Sequence, residues 1–158
     1  MPDSVALARL AHADAATGAA LATLFMAARA TAMPWLPVCH DAAATADFLA
    51  AEVTRLTTWV ARDAAGHLAG FIMFDTGWVD HLYIAPGMQG QGLGRRLLQQ
   101  ALADSQPRQL WCFAANTAAR RFYETAGFVA VESTDGRHNE EGRPDVRYHY
   151  AGNRSAPG

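Results

Sequence analysis

Lysine is missing altogether: all 13 basic residues are arginine. No lysine can therefore follow the glycines of a P-loop or form a Schiff base. Charge of either sign is also scarce. The 13 arginines face 15 acidic residues, for a net charge of −2, which gives no electrostatic case for nucleic acid as the main partner. Cysteine is nearly absent. Cys39 and Cys112 sit in apolar segments, without C-x-x-C or metal-ligand spacing. Both are expected to be reduced and buried in a cytoplasmic protein, with no metal site. No uninterrupted apolar run approaches the length of a membrane span, so no membrane partner is expected. The opening "MPDSVALARL" lacks a basic region followed by an apolar block, so it is not read as a signal peptide.

What is present points to a globular chain, 51% hydrophobic and 18% charged over 158 residues. One domain is expected over 1–150, with "AGNRSAPG" (151–158) as a frayed tail. "VALARL" (5–10) reads as a short strand. The alanine-rich stretch 14–32 reads as a helix with Leu21, Leu24, Phe25 and Ala28 on one face. "MPWLPVCH" (33–40) breaks it with two prolines, and Asp41 can cap a second helix over 42–54. Strands follow at 57–63, 68–75 and 77–86, then a helix at 91–105 and a strand at 108–113. A helix at 116–127 and strands at 128–134 and 145–150 complete the order β-α-α-β-β-β-α-β-α-β-β. Helices alternate with strands only in part, which predicts a mixed α+β sheet.

The stretch "GMQGQGLGRR" (87–96) places Gly90, Gly92 and Gly94 between a strand and a helix. Its spacing fails the dinucleotide fingerprint: Arg95 or Leu97 stands where the third glycine belongs. Backbone N–H groups at a helix start have no internal partner and carry the positive end of the dipole. Bare of side chains and flanked by Arg95 and Arg96, they suit phosphate. A tight strand-to-helix turn explains the same glycines equally well.

The neighbouring residues add a resemblance. Gln89-Gly90-Gln91-Gly92-Leu93-Gly94 resembles the Q/R-x-x-G-x-G/A signature of the GNAT acyl-CoA N-acyltransferase superfamily. It lies after "LYIAP" and before an amphipathic helix. Asn116 and "RRFYETAGF" (120–128), with Tyr123, resemble the second signature at the expected distance. The resemblance covers nearly the whole chain. It implies a mostly antiparallel sheet flanked by helices and splayed between the fourth and fifth strands. It also implies an N-acetyltransferase that moves the acetyl group of acetyl-CoA to a primary amine of a small molecule or peptide, by direct attack in a ternary complex. Gln89, Gly90, Gln91, Gly92, Leu93, Gly94 and Arg95 would hold the pyrophosphate, and Leu82, Tyr83, Ile84 and Asn116 the pantetheine arm. The N–H of Leu82 would polarise the thioester carbonyl. Tyr123 would protonate the leaving thiolate, or else simply pack; Phe122 is assigned to the core. No metal is implied. The alternative is a CoA-binding sensor of the same fold without catalysis. A monomer or homodimer is expected.

An alkyl amine must lose a proton before it can attack. Asp80 is the candidate base, since period-2 alternation puts it on one strand face with Leu82 and Ile84. The family often has His or Glu near this point, so Asp is a departure, and a structural carboxylate remains open. His81 should point to the other face as a core histidine. For the acceptor pocket the candidates are Trp35 and His40 in "MPWLPVCH", and Glu140 and Glu141 in the loop before the last strand. A solvated loop remains the other reading of the two glutamates.

Overall fold

The computed structural model describes residues 4–153. Two helices come early, α1 (Ala15–Ala32) and α2 (Ala42–Arg55), and each starts on an aspartate. The Asp14 carboxylate accepts from the Thr17 N–H and Asp41 from the Ala44 N–H, both at 2.8 Å. This satisfies donors that a helix start leaves open. Their apolar faces meet: Leu21, Leu24 and Ala28 of α1 pack with Leu49 and Val53 of α2, over Phe71 and Met73 of the sheet below. Burying a leucine of this kind contributes roughly 1.5–3 kcal/mol.

The strands form two sheets. The first is an antiparallel meander of β1 (Ala6–Arg9), β2 (Thr57–Arg62), β3 (Leu68–Phe74) and β4 (Val79–Ile84), in that spatial order. The second runs β5 (Arg108–Phe113), β7 (Asp145–Tyr150), β6 (Val129–Thr134), again antiparallel. Two helices complete the fold, α3 (Leu93–Leu102) and α4 (Thr117–Thr125). Leu93, Leu97, Leu98 and Ala101 of α3 bury against Ile72, Phe74 and Leu110, making a second core on the face opposite α1 and α2.

The sheets meet where β4 and β5 begin. A single parallel bridge joins Trp78 to Gln109, with the Gln109 N–H donating to the Gly77 carbonyl at 2.8 Å. Beyond it the two strands part. The fold is therefore the expected mostly antiparallel α+β arrangement, with its splay between the fourth and fifth strands. Two expectations change. Cys39 is exposed, because Pro34 and Pro37 ahead of it hold 33–40 as an irregular surface segment; only Cys112 is buried. Residues 151–153 are not frayed: the Asn153 N–H donates to the Ser105 carbonyl at 3.1 Å. The rest of the tail, 154–158, lies outside the described residues. No described helix is long and apolar enough to cross a membrane.

Candidate active site

The opening between β4 and β5 is the first element of the site. The Ala85 N–H donates to the Ala69 carbonyl on β3, and the register pairs Phe71 with Tyr83 and Ile72 with Leu82. Antiparallel pairs alternate between bonded and non-bonded. The backbone polar groups of Leu82 and Ile84 therefore face away from β3, into the gap left by β5. There they have no strand to pair with, which suits an extended ligand added as a strand. A cavity of about 110 Å³ fills this gap; Asp80, Leu82, Tyr83, Cys112, Asn116 and Tyr123 are among its lining residues.

β4 leads through a 3-10 turn (Pro86–Met88) into the glycine loop. Gly90 and Gly92 have φ of +80° and +77°, a region side chains rarely adopt, and a Cβ on either would meet nothing within 4 Å. Their bareness is therefore conformational and leaves open space in front of the backbone. The first helical bond of α3 runs from the Arg96 N–H to the Gly92 carbonyl at 3.1 Å. The amides of Leu93, Gly94 and Arg95 precede it, at the positive end of the helix. Gly94 serves packing instead, since a Cβ there would lie 3.3 Å from the Phe122 ring. Arg95 is exposed beside the cradle, whereas Arg96 is committed to the Val5 carbonyl at 3.0 Å. The loop thus fits a phosphate group, and the gap fits the extended arm that would follow it.

On the other side, the Asn116 side-chain oxygen caps α4, accepting from the Ala119 N–H at 3.2 Å. Asn116 also lines the gap cavity. Tyr123 lies one to two turns further along and packs edge-on against Phe122 and Phe128. Its hydroxyl has no hydrogen-bond partner among the described residues. Burial pushes this phenol far above its ordinary value, and the neighbouring Cys112 and Tyr83 reinforce the shift. Cys112 is itself pushed up to about 11 by burial. Both groups stay protonated across the neutral range.

Asp80 is not where alternation placed it. A β-bulge interrupts the β3–β4 register between Met73 and Phe74, so that Phe74 pairs with Val79 and Met73 with His81. The extra residue is Asp80. Val79, not Asp80, shares a face with Leu82 and Ile84 in the α3-side core. The Asp80 carboxylate instead accepts from Arg55 at the end of α2, at 3.3 Å. Arg55 also donates to both oxygens of Glu52, at 2.9 and 3.0 Å. The second Glu52 oxygen lies 3.2 Å from His81 Nε2. A chain Asp80–Arg55–Glu52–His81 results. Burial pushes the Asp80 carboxyl up, with His81 and Arg55 opposing. Burial acts upward on Glu52 as well, but hydrogen bonds from Arg55 and His81 outweigh it and hold this carboxyl low. The His81 imidazole is pushed down by burial, against the pull of Glu52 and then Asp80. It is therefore neutral near pH 7.

His81 and Met33 line both the gap cavity and a second, larger one of about 670 Å³. The larger cavity lies under α1, the 33–40 segment and α2, with Phe25, Met26, Leu36 and Phe48 among its apolar walls. Its polar end holds Arg29, His40, Glu140 and Glu141. His40 Nε2 meets a Glu140 oxygen at 2.8 Å on the open rim. Glu141 is different: its side chain is only 10% exposed, with one oxygen 4.0 Å from Arg29 and the other buried without a hydrogen-bond partner. Burial pushes its carboxyl up, against Arg29. Trp35 turns away, packing edge-on against Phe113 at 6.2 Å. Sequence reading missed two residues: His81, assigned to the core, and Glu52, which was not considered. The 29-residue separation of this pair leaves no local signal.

Residues 54–130 match the family model described as acetyltransferase (GNAT) domain. A protein named probable N-acetyltransferase Rv2775 from Mycobacterium tuberculosis is 38% identical over 79 residues, 44% of this chain and 45% of its own length. An uncharacterized N-acetyltransferase of Archaeoglobus fulgidus is 30% identical over 84 residues, 43% of this chain and 57% of its own. The chain thus spans about half the length of these relatives. Among solved structures, apo YjaB from Escherichia coli superposes with a TM-score of 0.74 at 20% identity, covering 94% of this chain and 99% of that one. An N-acetyltransferase from Thermoplasma acidophilum in complex with coenzyme A gives 0.73 at 18% identity, with coverage of 94% and 99%. At these identities the likeness is one of fold.

Proposed function

We propose that the chain is an acyltransferase of the GNAT superfamily, whose domain model matches residues 54–130, and that it transfers the acetyl group of acetyl-CoA to a primary amine in a ternary complex. One observation carries this reading. The β4–β5 gap runs past unpaired strand groups toward a bare helix start, and shares His81 and Met33 as lining residues with a second cavity. Two substrates of different shape would then converge on His81.

The acetyl donor supplies an activated thioester, and the rest is the work of the chain. Amides of Gly90 to Arg95 hold the pyrophosphate, with Gln89 beside them. The exposed strand groups of Leu82 and Ile84 and the amide of Asn116 hold the arm, which runs past Tyr83. The Leu82 N–H faces the carbonyl oxygen and stabilises charge that develops there. His81, neutral and backed by Glu52, takes the proton that an ammonium must lose before its nitrogen attacks. Asp80 acts through Arg55 and Glu52, and is a positioning residue. As the N–C bond forms and the C–S bond breaks, Tyr123 protonates the departing sulfur. Nitrogen loses two protons in all and sulfur gains one, so each turnover releases one proton.

The test compares His81→Gln with Asp80→Asn in steady-state assays of acetyl-CoA consumption across amines, amino acids and peptides. His81→Gln should lower kcat by roughly 10²–10⁴; Asp80→Asn should lower it far less. The reverse order returns the base role to Asp80. Coenzyme A binding without turnover of any acceptor would instead favour a CoA-binding module.

A further inference from the structure

The partnerless oxygen of Glu141 is the least explained polar atom in the larger cavity. A carboxylate oxygen buried without a partner is costly, and such groups call for an explanation. Arg29 does not supply one. Its guanidinium donates to the Tyr83 hydroxyl at 3.0 Å and lies 4.8 Å over the Phe25 ring, leaving its other arm 4.0 Å from the far Glu141 oxygen. The Glu140 carboxylate pairs with His40 on the rim and, carrying the same charge, adds to the negative charge around Glu141. Phe25, Met26, Met33, Leu36 and Phe48 wall the same cavity, with Phe25 touching both Arg29 and the His81 ring. The cavity therefore combines the His81 imidazole, apolar walls and a carboxylate with one oxygen facing Arg29 at 4.0 Å and the other without a partner.

We propose that Glu141 is a cation subsite, and that the acceptor is an amine bearing a second positive group across an apolar spacer. This rests on the acetyltransferase reading above. The reacting nitrogen sits at His81, and the remote ammonium or guanidinium donates to the free Glu141 oxygen. A charge-assisted bond of this kind replaces the missing partner, and the phenylalanine rings favour a cation nearby. An acceptor with a carboxylate in place of the second cation would meet Glu141 with like charge.

The probes are straight-chain α,ω-diaminoalkanes and n-alkylamines of equal length, assayed at pH 8 by acetyl-CoA consumption. In the wild type, kcat/KM should favour the diamine at the best length by tenfold or more. Glu141→Gln should shrink that ratio about tenfold, through the diamine KM. Glu140→Gln, on the exposed rim, should shrink it less than about threefold. A retained thermal shift with coenzyme A shows that each variant is folded. An unchanged ratio in Glu141→Gln, or a larger effect at Glu140, overturns the subsite. So does turnover that needs added zinc and is lost with chelator. That result would assign Cys39, Glu140 and Glu141, whose ligand atoms lie within 4.8 Å of one another, to a metal instead. If coenzyme A gives no thermal shift and no amine is acetylated, the parent reading fails; monoamine turnover without diamine preference sinks only the subsite.

Discussion

Replacing Tyr123 with phenylalanine removes one oxygen and little else. The ring keeps its edge-on contacts with Phe122 and Phe128, at centroid distances of 5.2 and 5.7 Å. The lost hydroxyl had no hydrogen-bond partner among the described residues, so stability should stay within about 1 kcal/mol. For a chain of this size that is a Tm change below roughly 4 °C. The catalytic loss should be of another order. General acid catalysis is worth roughly 10²–10⁴ in rate, or about 2.7–5.4 kcal/mol of barrier. Because burial holds the phenol protonated well above neutral pH, the deficit should be constant from about pH 6 to 9. Single-turnover acetyl transfer, monitored by release of the free thiol, isolates the chemical step from product release. A rate within threefold of wild type would refute the acid role. A Tm loss beyond roughly 8 °C would show that the substitution did more than remove a proton donor.

Other outcomes follow from the same geometry. Saturating coenzyme A at about 100 times its Kd should stabilise the protein by about 2.7 kcal/mol, while NAD and ATP give smaller shifts in differential scanning fluorimetry. Gly92→Val should abolish the coenzyme A shift, since φ of +77° strains any β-branched residue. Glu52→Gln should shift the rising limb of the pH–rate profile to lower pH and depress its plateau, because Glu52 raises the His81 pKa against burial. Asp80, Arg55 and Arg29 remain around the ring, and Asp80→Asn should move the limb less. Glu141→Gln should raise Tm at pH 8, by roughly 2–4 °C for about 1 kcal/mol. The folded Glu141 carboxyl lies above its ordinary 4.5, so its destabilising charge is present above the folded pKa and disappears as pH falls through it. The advantage of the variant should fade over that window. Gly136→Ala and Gly66→Ala form a matched pair, both at φ of +87°; only at Gly136 would the Cβ strike backbone, at 2.3 Å from Arg143. Chemical denaturation should show Gly136→Ala the costlier by roughly 1–3 kcal/mol.

Most of the element order was legible in the sequence because apolar period and punctuation agreed. Asp14 and Asp41 stood ahead of alanine-rich segments, and the strands 68–75 and 108–113 were short apolar runs between turns. The glycine loop was legible because its residues are consecutive. Asp80 was misplaced because strict alternation assumes an uninterrupted ladder, and one extra residue reverses the face of everything before it. No side chain near 79–80 announces that bulge. Glu140 and Glu141 read alike in the chain. They separate only when the loop packs under α1, leaving one side chain 59% exposed and the other 10%. Trp35 looked more distinctive than Met33, yet it is Met33 that touches both cavities.

The walls of the larger cavity are unevenly distributed along the chain. Apart from His81, Glu140 and Glu141, every lining residue falls between Phe25 and Phe48. The glycine loop, Asn116 and Tyr123 lie wholly outside that stretch. On the function proposed above, acceptor and acetyl donor would be held largely by different pieces of polypeptide, in contact through Met33 and His81. Exchange within that one short N-terminal stretch would reshape most of the wall of the larger cavity while His81, Glu141 and the glycine loop stay as they are.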